Sequence, residues 1–396
     1  MPTPESAGKV GLIGYGKMGR NIFNLLSESS LEVAVLGRDQ AEMDRQHRRL
    51  ERRLTRAVSS GMLGAADLPR RLGTLRFTTS WDDLRDCDLV IETVKEDFDT
   101  KVAVLRRAEE TVSPRAVLTS NTSSLSITRI AECLRDPARF CGFHFFHPIQ
   151  LTSVVEIILT PRTAPEIVEL LRRLSRGIGR TPLVVKDLAG SCLNVPLTCH
   201  ACEALYVLEQ GLATPSGIDT IAGRFARLGP CEALDTIGIP LYTGVLGQTL
   251  EAFGLDLTIP DLLHRLIRDG RLGKYANQGV YLYRDDRPVD DAAAYYRNPA
   301  QSHTPAAVRT DDAGLYERLL FPIYFAALKL AQLDLGRLDD LCHGITDIMG
   351  LKIDPLEEMR RLGSHGLRDV FNRLRDELGP RFDCRSLEGI MARVDA

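Results

Sequence analysis

Short apolar runs alternate with amphipathic stretches along the first half of the chain. Lys9-Val10-Gly11-Leu12-Ile13 predicts a strand, a helical pattern follows to about Leu26, and Val33-Ala34-Val35-Leu36 predicts a second strand. Between residues 43 and 58, Met43, His47, Leu50, Leu54 and Val58 recur at three-to-four spacing and predict an amphipathic helix. Asp88 to Val94 and Ala116 to Thr119 read as buried strands on either side of a helical pattern from Lys101 to about Thr111. Phe140 to Phe145 and Val154 to Leu159 are two further strand candidates, and Leu183-Val184-Val185 closes the sheet. Strands alternating with helices predict an α/β domain built on a parallel, doubly wound sheet. From Leu193 onward the pattern is mostly helical, which puts a domain boundary near Asp187–Gly190. Pro and polar residues gather between Asp285 and Asp312, and another helical block runs from Leu315 to the end. The expected domains are therefore 1–188, 189–290 and 313–396, with a linker at 291–312.

Gly14-Tyr15-Gly16-Lys17-Met18-Gly19 sits directly between the first strand and the first helix. In that context the pattern predicts a Rossmann-type dinucleotide site, with Gly14, Gly16, Lys17, Met18 and Gly19 as cofactor-binding positions. Gly14 serves the tight turn, Gly16 leaves room for the diphosphate, and Gly19 allows close helix–strand packing. The diphosphate would rest on the helix N-terminus, where free N–H groups and the dipole favour negative charge. The second strand ends Leu36-Gly37-Arg38-Asp39, so a glycine stands where NAD sites place an acid for the ribose hydroxyls. A carboxylate would repel a 2′-phosphate, whereas the Arg38 guanidinium can bind it bidentately. NADP(H) is therefore favoured, with NAD(H) possible if Asp39 reaches the ribose instead.

Composition narrows the class. The 396 residues are 44% hydrophobic and 26% charged, with 50 Lys plus Arg against 53 Asp plus Glu. A chain of this balance is neither disordered nor fibrous, and its net charge of −3 gives no global field for nucleic acid. No apolar run is long enough to span a membrane, and Met-Pro-Thr-Pro-Glu-Ser has neither a basic nor an apolar leader pattern, so a cytoplasmic protein is expected. Nine scattered cysteines read as reduced thiols. Cys199-His200-Ala201-Cys202 lacks a second pair at zinc spacing and lies in a helical pattern, so it reads as small core residues, and no metal is expected. One local charge excess stands out: Arg45, Arg48, Arg49, Arg52, Arg53 and Arg56 crowd the polar side of the 43–58 helix. It is either a solvated face or an anion site for a phosphorylated acyl carrier.

Four polar residues fall at the ends of predicted strands or at a helix start: Ser123, His144, Glu156 and Asn194. Oxidising an alcohol by hydride transfer needs a base for the hydroxyl proton, and the reverse reduction needs the same group as an acid. Histidine suits both. A carboxylate at its second ring nitrogen would fix the tautomer, and Glu156 lies in the next strand-like run. Ser and Asn can donate hydrogen bonds to the substrate oxygen as charge builds there.

Residues 9 to about 285 resemble the 3-hydroxyacyl-CoA dehydrogenases. The resemblance is carried by the glycine motif, Ser120-Asn121-Thr122-Ser123-Ser124-Leu125, His144-Phe145-Phe146-His147-Pro148, Val155-Glu156, Gly229-Pro230 with Asp235-Thr236-Ile237-Gly238, and Gly270-Arg271-Leu272-Gly273-Lys274 with Gly279-Val280-Tyr281. It implies that His144 is the catalytic acid/base, Glu156 its partner, and Ser123 and Asn194 the groups on the substrate oxygen. It also implies cofactor-side positions at Asn121, Glu96 and Lys101. Arg318-Leu319-Leu320-Phe321-Pro322, Gly350-Leu351, Leu362-Gly363 and Leu378-Gly379-Pro380-Arg381-Phe382 look like the second copy of the helical domain of multifunctional fatty-acid oxidation enzymes. A duplicated all-α C-terminal region implies either a monomer with an internal pseudo-dimer or a homodimer.

Three departures stand against the family pattern. His147 replaces the usual Asn, Val195 replaces the Arg that usually follows Asn194, and the acid expected at Gly37 is missing. No hydratase-like segment precedes residue 9, so the full multifunctional enzyme is not expected. The resemblance implies a 3-hydroxyacyl-CoA dehydrogenase or 3-oxoacyl thioester reductase acting on an acyl-CoA or acyl-carrier-protein substrate. The alternatives are a ketoreductase of a biosynthetic (polyketide or carrier-bound) pathway and a non-catalytic relative that kept the fold.

Overall fold

The computed structural model describes residues 8–188, 190–253, 257–298 and 311–395. The chain divides after Ala189 into two compact units. In the first, the elements follow in the order β1 (Lys9–Ile13), α1 (Lys17–Leu26), β2 (Glu32–Leu36), α2 (Gln40–Ser59), α3 (Leu68–Thr74), β3 (Leu75–Thr78), β4 (Leu89–Glu92), α4 (Phe98–Thr111), β5 (Val117–Ser120), α5 (Ile127–Glu132), β6 (Phe140–Phe145), β7 (Val154–Leu159), α6 (Pro165–Gly177) and β8 (Thr181–Lys186). The strands form one sheet in the order β3-β2-β1-β4-β5-β6-β7-β8.

The first six strands of this order are mutually parallel. β7 then pairs antiparallel with β6, and β8 runs parallel to β7. The sheet is thus mostly, not wholly, parallel. The chain between Phe145 and Val154 holds no helix that could carry a crossover, so β7 returns beside β6 in the opposite direction. Val10, Leu12, Val35, Ile91, Leu118, Phe143 and Ile157 are fully buried, as strands covered on both faces require.

The second unit contains α7 (Asn194–Glu209), α8 (Pro215–Ala222), α9 (Pro230–Ile237), α10 (Ile239–Phe253), α11 (Asp261–Arg268), the hairpin β9 (Leu282–Arg284) and β10 (Arg287–Val289), α12 (Ala293–Tyr296), α13 (Asp312–Gln332), α14 (Leu338–Met349), α15 (Pro355–Leu378) and α16 (Glu388–Met391). It is built twice from one plan. Proline opens α9 and α15, and a glycine with positive φ follows eight residues later in each, at Gly238 and Gly363. α10 and the remainder of α15 both end fifteen residues beyond that glycine. Ala226 and Leu351 occupy equivalent places and form an antiparallel bridge. There the Arg227 N–H donates to the Gly350 carbonyl at 2.9 Å and the Lys352 N–H to the Phe225 carbonyl at 2.7 Å, a reciprocal pair of bonds about a local two-fold.

α7 and α13, the equivalent long helices, pack on each other. Their ends, Gln210 and Leu333, put Val195 opposite Arg318 in the repeat and Glu203 opposite Ala326. Arg318 is buried and bonds Glu203 at 2.9 Å, while Val195 and Ala326 are fully buried apolar residues. The second copy therefore keeps the arginine that the first lacks. Val195 leaves no orphaned charge because its counterpart partner is alanine, and an unpaired buried charge would be costly.

Part of the stretch expected as a linker is ordered. It holds α12, whose Tyr296 is buried with its hydroxyl on the Val280 carbonyl at 2.8 Å; just before it, Asp285 and Asp286, both with positive φ, form the β9–β10 turn. Residues 299–310 lie outside the described residues.

Candidate active site

Three residues join β1 to α1, and the glycines around them do different things. Gly14 has φ +99°, and a Cβ there would come within 2.9 Å of the Thr93 carbonyl. A Cβ at Gly19 would collide with the Gly14 carbonyl oxygen. At Gly16, nothing lies within 4 Å of a Cβ position. Gly14 and Gly19 are thus demanded by the fold, and Gly16 faces open space. Gly16 caps α1 without a side-chain bond, so the turn leading into Lys17 and Met18 offers main-chain N–H groups to an anion. This cradle fits a dinucleotide diphosphate.

At the end of β2, the missing Cβ of Gly37 is filled by the Met43 thioether, and Arg38 is exposed. Asp39 caps α2: one carboxylate oxygen accepts from the Ala41 N–H at 2.9 Å. That oxygen is committed to the helix rather than to a ribose.

His144 and Glu156 face each other because the antiparallel register of β6 and β7 makes them a cross-strand pair. His144 Nδ1 bonds Glu156 Oε2 at 2.8 Å; Glu156 is fully buried and His144 is 5% exposed. A carboxylate only accepts, so Nδ1 carries the hydrogen and Nε2 is left as the exchanging nitrogen. The Phe146 ring packs edge-on against the imidazole, 4.6 Å between centroids. The pair lies at the carboxyl end of β6, the edge on which the glycine turn follows the parallel strand β1.

The loop after β5 lies at the same edge. Asn121 Oδ1 accepts from the Phe145 N–H at 2.9 Å and ties the end of β5 to the end of β6. Glu96 organises the residues that follow. Its Oε1 accepts from the Ser123 N–H at 3.0 Å, the Ser124 N–H at 3.1 Å, the Ser124 hydroxyl at 2.9 Å and the Thr122 hydroxyl. Burial opposes the charge on Glu96, but Lys101 and these hydrogen bonds outweigh it and hold the carboxyl below its ordinary range. Lys101 is only 1% exposed, with its ammonium 3.3 Å from Glu96 and 2.9 Å from Glu92. It stands behind Glu96 rather than against open space.

Sequence reasoning passed over Glu92. It is fully buried at the end of β4, accepts from the Ser120 hydroxyl at 2.5 Å and the Val94 N–H at 2.6 Å, and is pushed upward by burial. An acid inside the apolar run Leu89 to Val94, with a lysine on the next helix, was the available signal.

Also unread was a groove of about 1070 Å³ along α1 and α2, lined by Tyr15, Lys17, Arg20, Arg49, Arg53 and Arg56 among others. Tyr15 packs edge-to-face on Phe23 and Phe77 in its wall, and the two phenylalanine rings are tilted on each other. Its wall residue Asn21 lies 3.5 Å from His147 Nδ1, three residues beyond His144. Burial, then the Lys17 charge, lowers the His147 pKa.

Asn194 belongs to the second unit, where it opens α7. Cys199, His200 and Cys202 are buried on the same helix, and His200 Nδ1 donates to the Leu319 carbonyl at 2.8 Å. Among the described residues no three His, Cys, Asp or Glu side chains gather at a metal-binding spacing. No described helix is long and apolar enough to cross a membrane.

A glycine cradle at a helix N-terminus, with a carboxylate-held imidazole at the same sheet edge, defines a dinucleotide-dependent dehydrogenase. Comparison with known proteins agrees. Residues 9–188 match the family model for the 3-hydroxyacyl-CoA dehydrogenase NAD binding domain, and residues 196–283 match its C-terminal domain. The chain is 33% identical over 279 residues to the probable 3-hydroxybutyryl-CoA dehydrogenase of Deinococcus radiodurans, covering 69% of this chain and 100% of that protein. A fatty acid oxidation complex subunit alpha from Vibrio vulnificus is 27% identical over 404 residues, 99% of this chain and 55% of its own length. The crystal structure of 3-hydroxybutyryl-CoA dehydrogenase from Escherichia coli shares the fold across 98% of this chain and 99% of its own, with a TM-score of 0.84 at 24% identity. The chain belongs to the 3-hydroxyacyl-CoA dehydrogenase family, and its second helical copy accounts for the length beyond residue 283.

Proposed function

We propose that the chain interconverts a 3-hydroxyacyl thioester and its 3-oxo form, and that His144 moves the proton at the C3 oxygen. The 2.8 Å bond between His144 and Glu156 at the sheet edge of the glycine cradle carries this reading. The nicotinamide supplies the hydride exchange at C3. In oxidation, His144 Nε2 accepts the hydroxyl proton while Glu156 stabilises the imidazolium; in reduction, the same nitrogen returns it. Ser123 donates a hydrogen bond to the C3 oxygen as charge builds there, a task that the family resemblance also gives to Asn194. Gly14, Gly16 and Gly19, with the N-terminal turn at Lys17 and Met18, hold the diphosphate. Asn121 and Glu96 position the loop that bears Ser123, and Lys101 keeps Glu96 charged.

The groove beside α1 receives the phosphate-bearing handle of the thioester, an acyl-CoA in the simplest case. Residues 9–188 match an NAD binding domain, which supports a nicotinamide cofactor; Arg38, with no acid at Gly37, is the one feature that favours NADP(H) over NAD(H). With NADPH as cofactor, reduction is the working direction. The internal pairing of α7 with α13 supports a monomer of 43.9 kDa.

Steady-state oxidation of NADPH and of NADH with acetoacetyl-CoA tests cofactor and substrate together. Turnover with NADPH exceeding that with NADH supports both parts. Equal rates remove the Arg38 argument, and no turnover with either removes the reaction.

A further inference from the structure

We infer that the arginine ridge on α2 docks an acidic carrier protein, whose phosphopantetheine arm delivers the acyl chain through the adjoining groove. This rests on the thioester reading above and names the macromolecule that presents the thioester.

The cations of α2 fall into two groups. Arg53 is fixed inward, donating to Asn24 Oδ1 and the Ser27 hydroxyl, each at 3.0 Å, and Arg45 pairs with Glu42 on its own helix. Arg48, Arg49, Arg52 and Arg56 are exposed, and among the described residues none of the four has a carboxylate partner. Arg49, Arg52 and Arg56 share one stripe and line the groove, whereas Arg48 does not line it. From Arg48 to Arg56 the ridge runs roughly 12 Å along the helix axis.

A nucleotide handle lying in the groove would engage the cations that line it and leave Arg48 in solvent. A row of unpaired guanidinium groups that extends past the rim is the complement of an acidic protein face, where rim charges set encounter and orientation. Met62, 80% exposed and also lining the groove, supplies an apolar contact at the edge. The arm then has a route. The groove is lined both by the ridge arginines and by Asn21 of α1, whose side chain meets His147, three residues from His144.

The test compares one acyl group, 3-oxobutyryl, on three carriers: an acidic acyl carrier protein, coenzyme A and bare pantetheine. At low salt the carrier-protein thioester is expected to show a KM about tenfold below that of the CoA thioester, with the advantage shrinking as salt is added. Arg48→Glu should raise the carrier-protein KM about fivefold or more and leave the CoA KM within about twofold, with kcat unchanged for both. Equal effects of Arg48→Glu on both thioesters, or a carrier-protein KM no better than that of pantetheine, overturns the docking while leaving the thioester chemistry intact. Turnover of none of the three overturns the chemistry and the docking together. Co-sedimentation with phosphatidylglycerol vesicles that Arg48→Glu abolishes would assign the ridge to a lipid surface and overturn the proposal.

Discussion

Glu156→Gln isolates the charge that the account places behind His144. The amide is nearly the size of the carboxylate, and its oxygen can still accept the Nδ1 hydrogen, so the tautomer survives and the negative charge does not. Both groups are buried and their contact is 2.8 Å, so solvent screens little of the interaction. At charge centres about 4 Å apart and an effective dielectric near 20, the attraction to an imidazolium is about 4 kcal/mol. The retained hydrogen bond restores about 1 kcal/mol of this, leaving a deficit of about 3 kcal/mol whenever His144 must hold the extra proton. That corresponds to a drop in kcat of roughly 100-fold or more in the direction of alcohol oxidation. The assay is steady-state turnover of 3-hydroxybutyryl-CoA followed by nicotinamide absorbance, with thermal unfolding as the check on the fold. A variant that melts like the parent yet turns over within about threefold of it would refute the reasoning, because a charge this close and this dry cannot be idle.

The two outer glycines and the middle one of the cradle should separate stability from binding. Gly19→Ala is expected to lower the melting temperature because its Cβ meets the Gly14 carbonyl, whereas Gly16→Ala should melt normally and bind the reduced cofactor at least about tenfold more weakly; unaltered cofactor binding by Gly16→Ala would place the diphosphate elsewhere. His200 predicts a pH response in the helical unit: burial lowers its pKa from 6.5 to about 4. The imidazole stays neutral in the folded chain while the unfolded chain takes up a proton below 6.5, so stability is complete above that pH and falls as pH drops toward 4, by about 3 kcal/mol in all. Urea midpoints across this range should fall more steeply for the parent than for His200→Gln, and parallel curves would contradict the assignment.

Much of the first unit is legible in the sequence because its strands are apolar on both faces and its turns are marked by glycine. β1, β6 and β7 follow their apolar runs residue for residue. β3 does not: it is four residues with Arg76 exposed at the sheet edge, too short to show an alternation. The types His144 and Glu156 can be read, but their contact cannot, since it depends on β7 turning back beside β6 rather than crossing over. Gly37 reads as a missing acid, and only packing shows that the Met43 thioether fills its place. The three cradle glycines look alike by spacing, and only the surrounding atoms distinguish the one that faces open space. The repeat in the second unit can be read from its motifs. The reciprocal bonds between Arg227 and Gly350 and between Lys352 and Phe225 cannot, because they are made by main-chain groups that any residue carries.

One imidazole moves the proton while the nicotinamide exchanges hydride, and His144→Ala tests this division of labour most directly. Turnover of acetoacetyl-CoA at saturating reduced cofactor should fall by about a thousandfold or more, with the cofactor Kd from fluorescence titration unchanged. Turnover within about tenfold of the parent, from a variant that still binds cofactor, would contradict it.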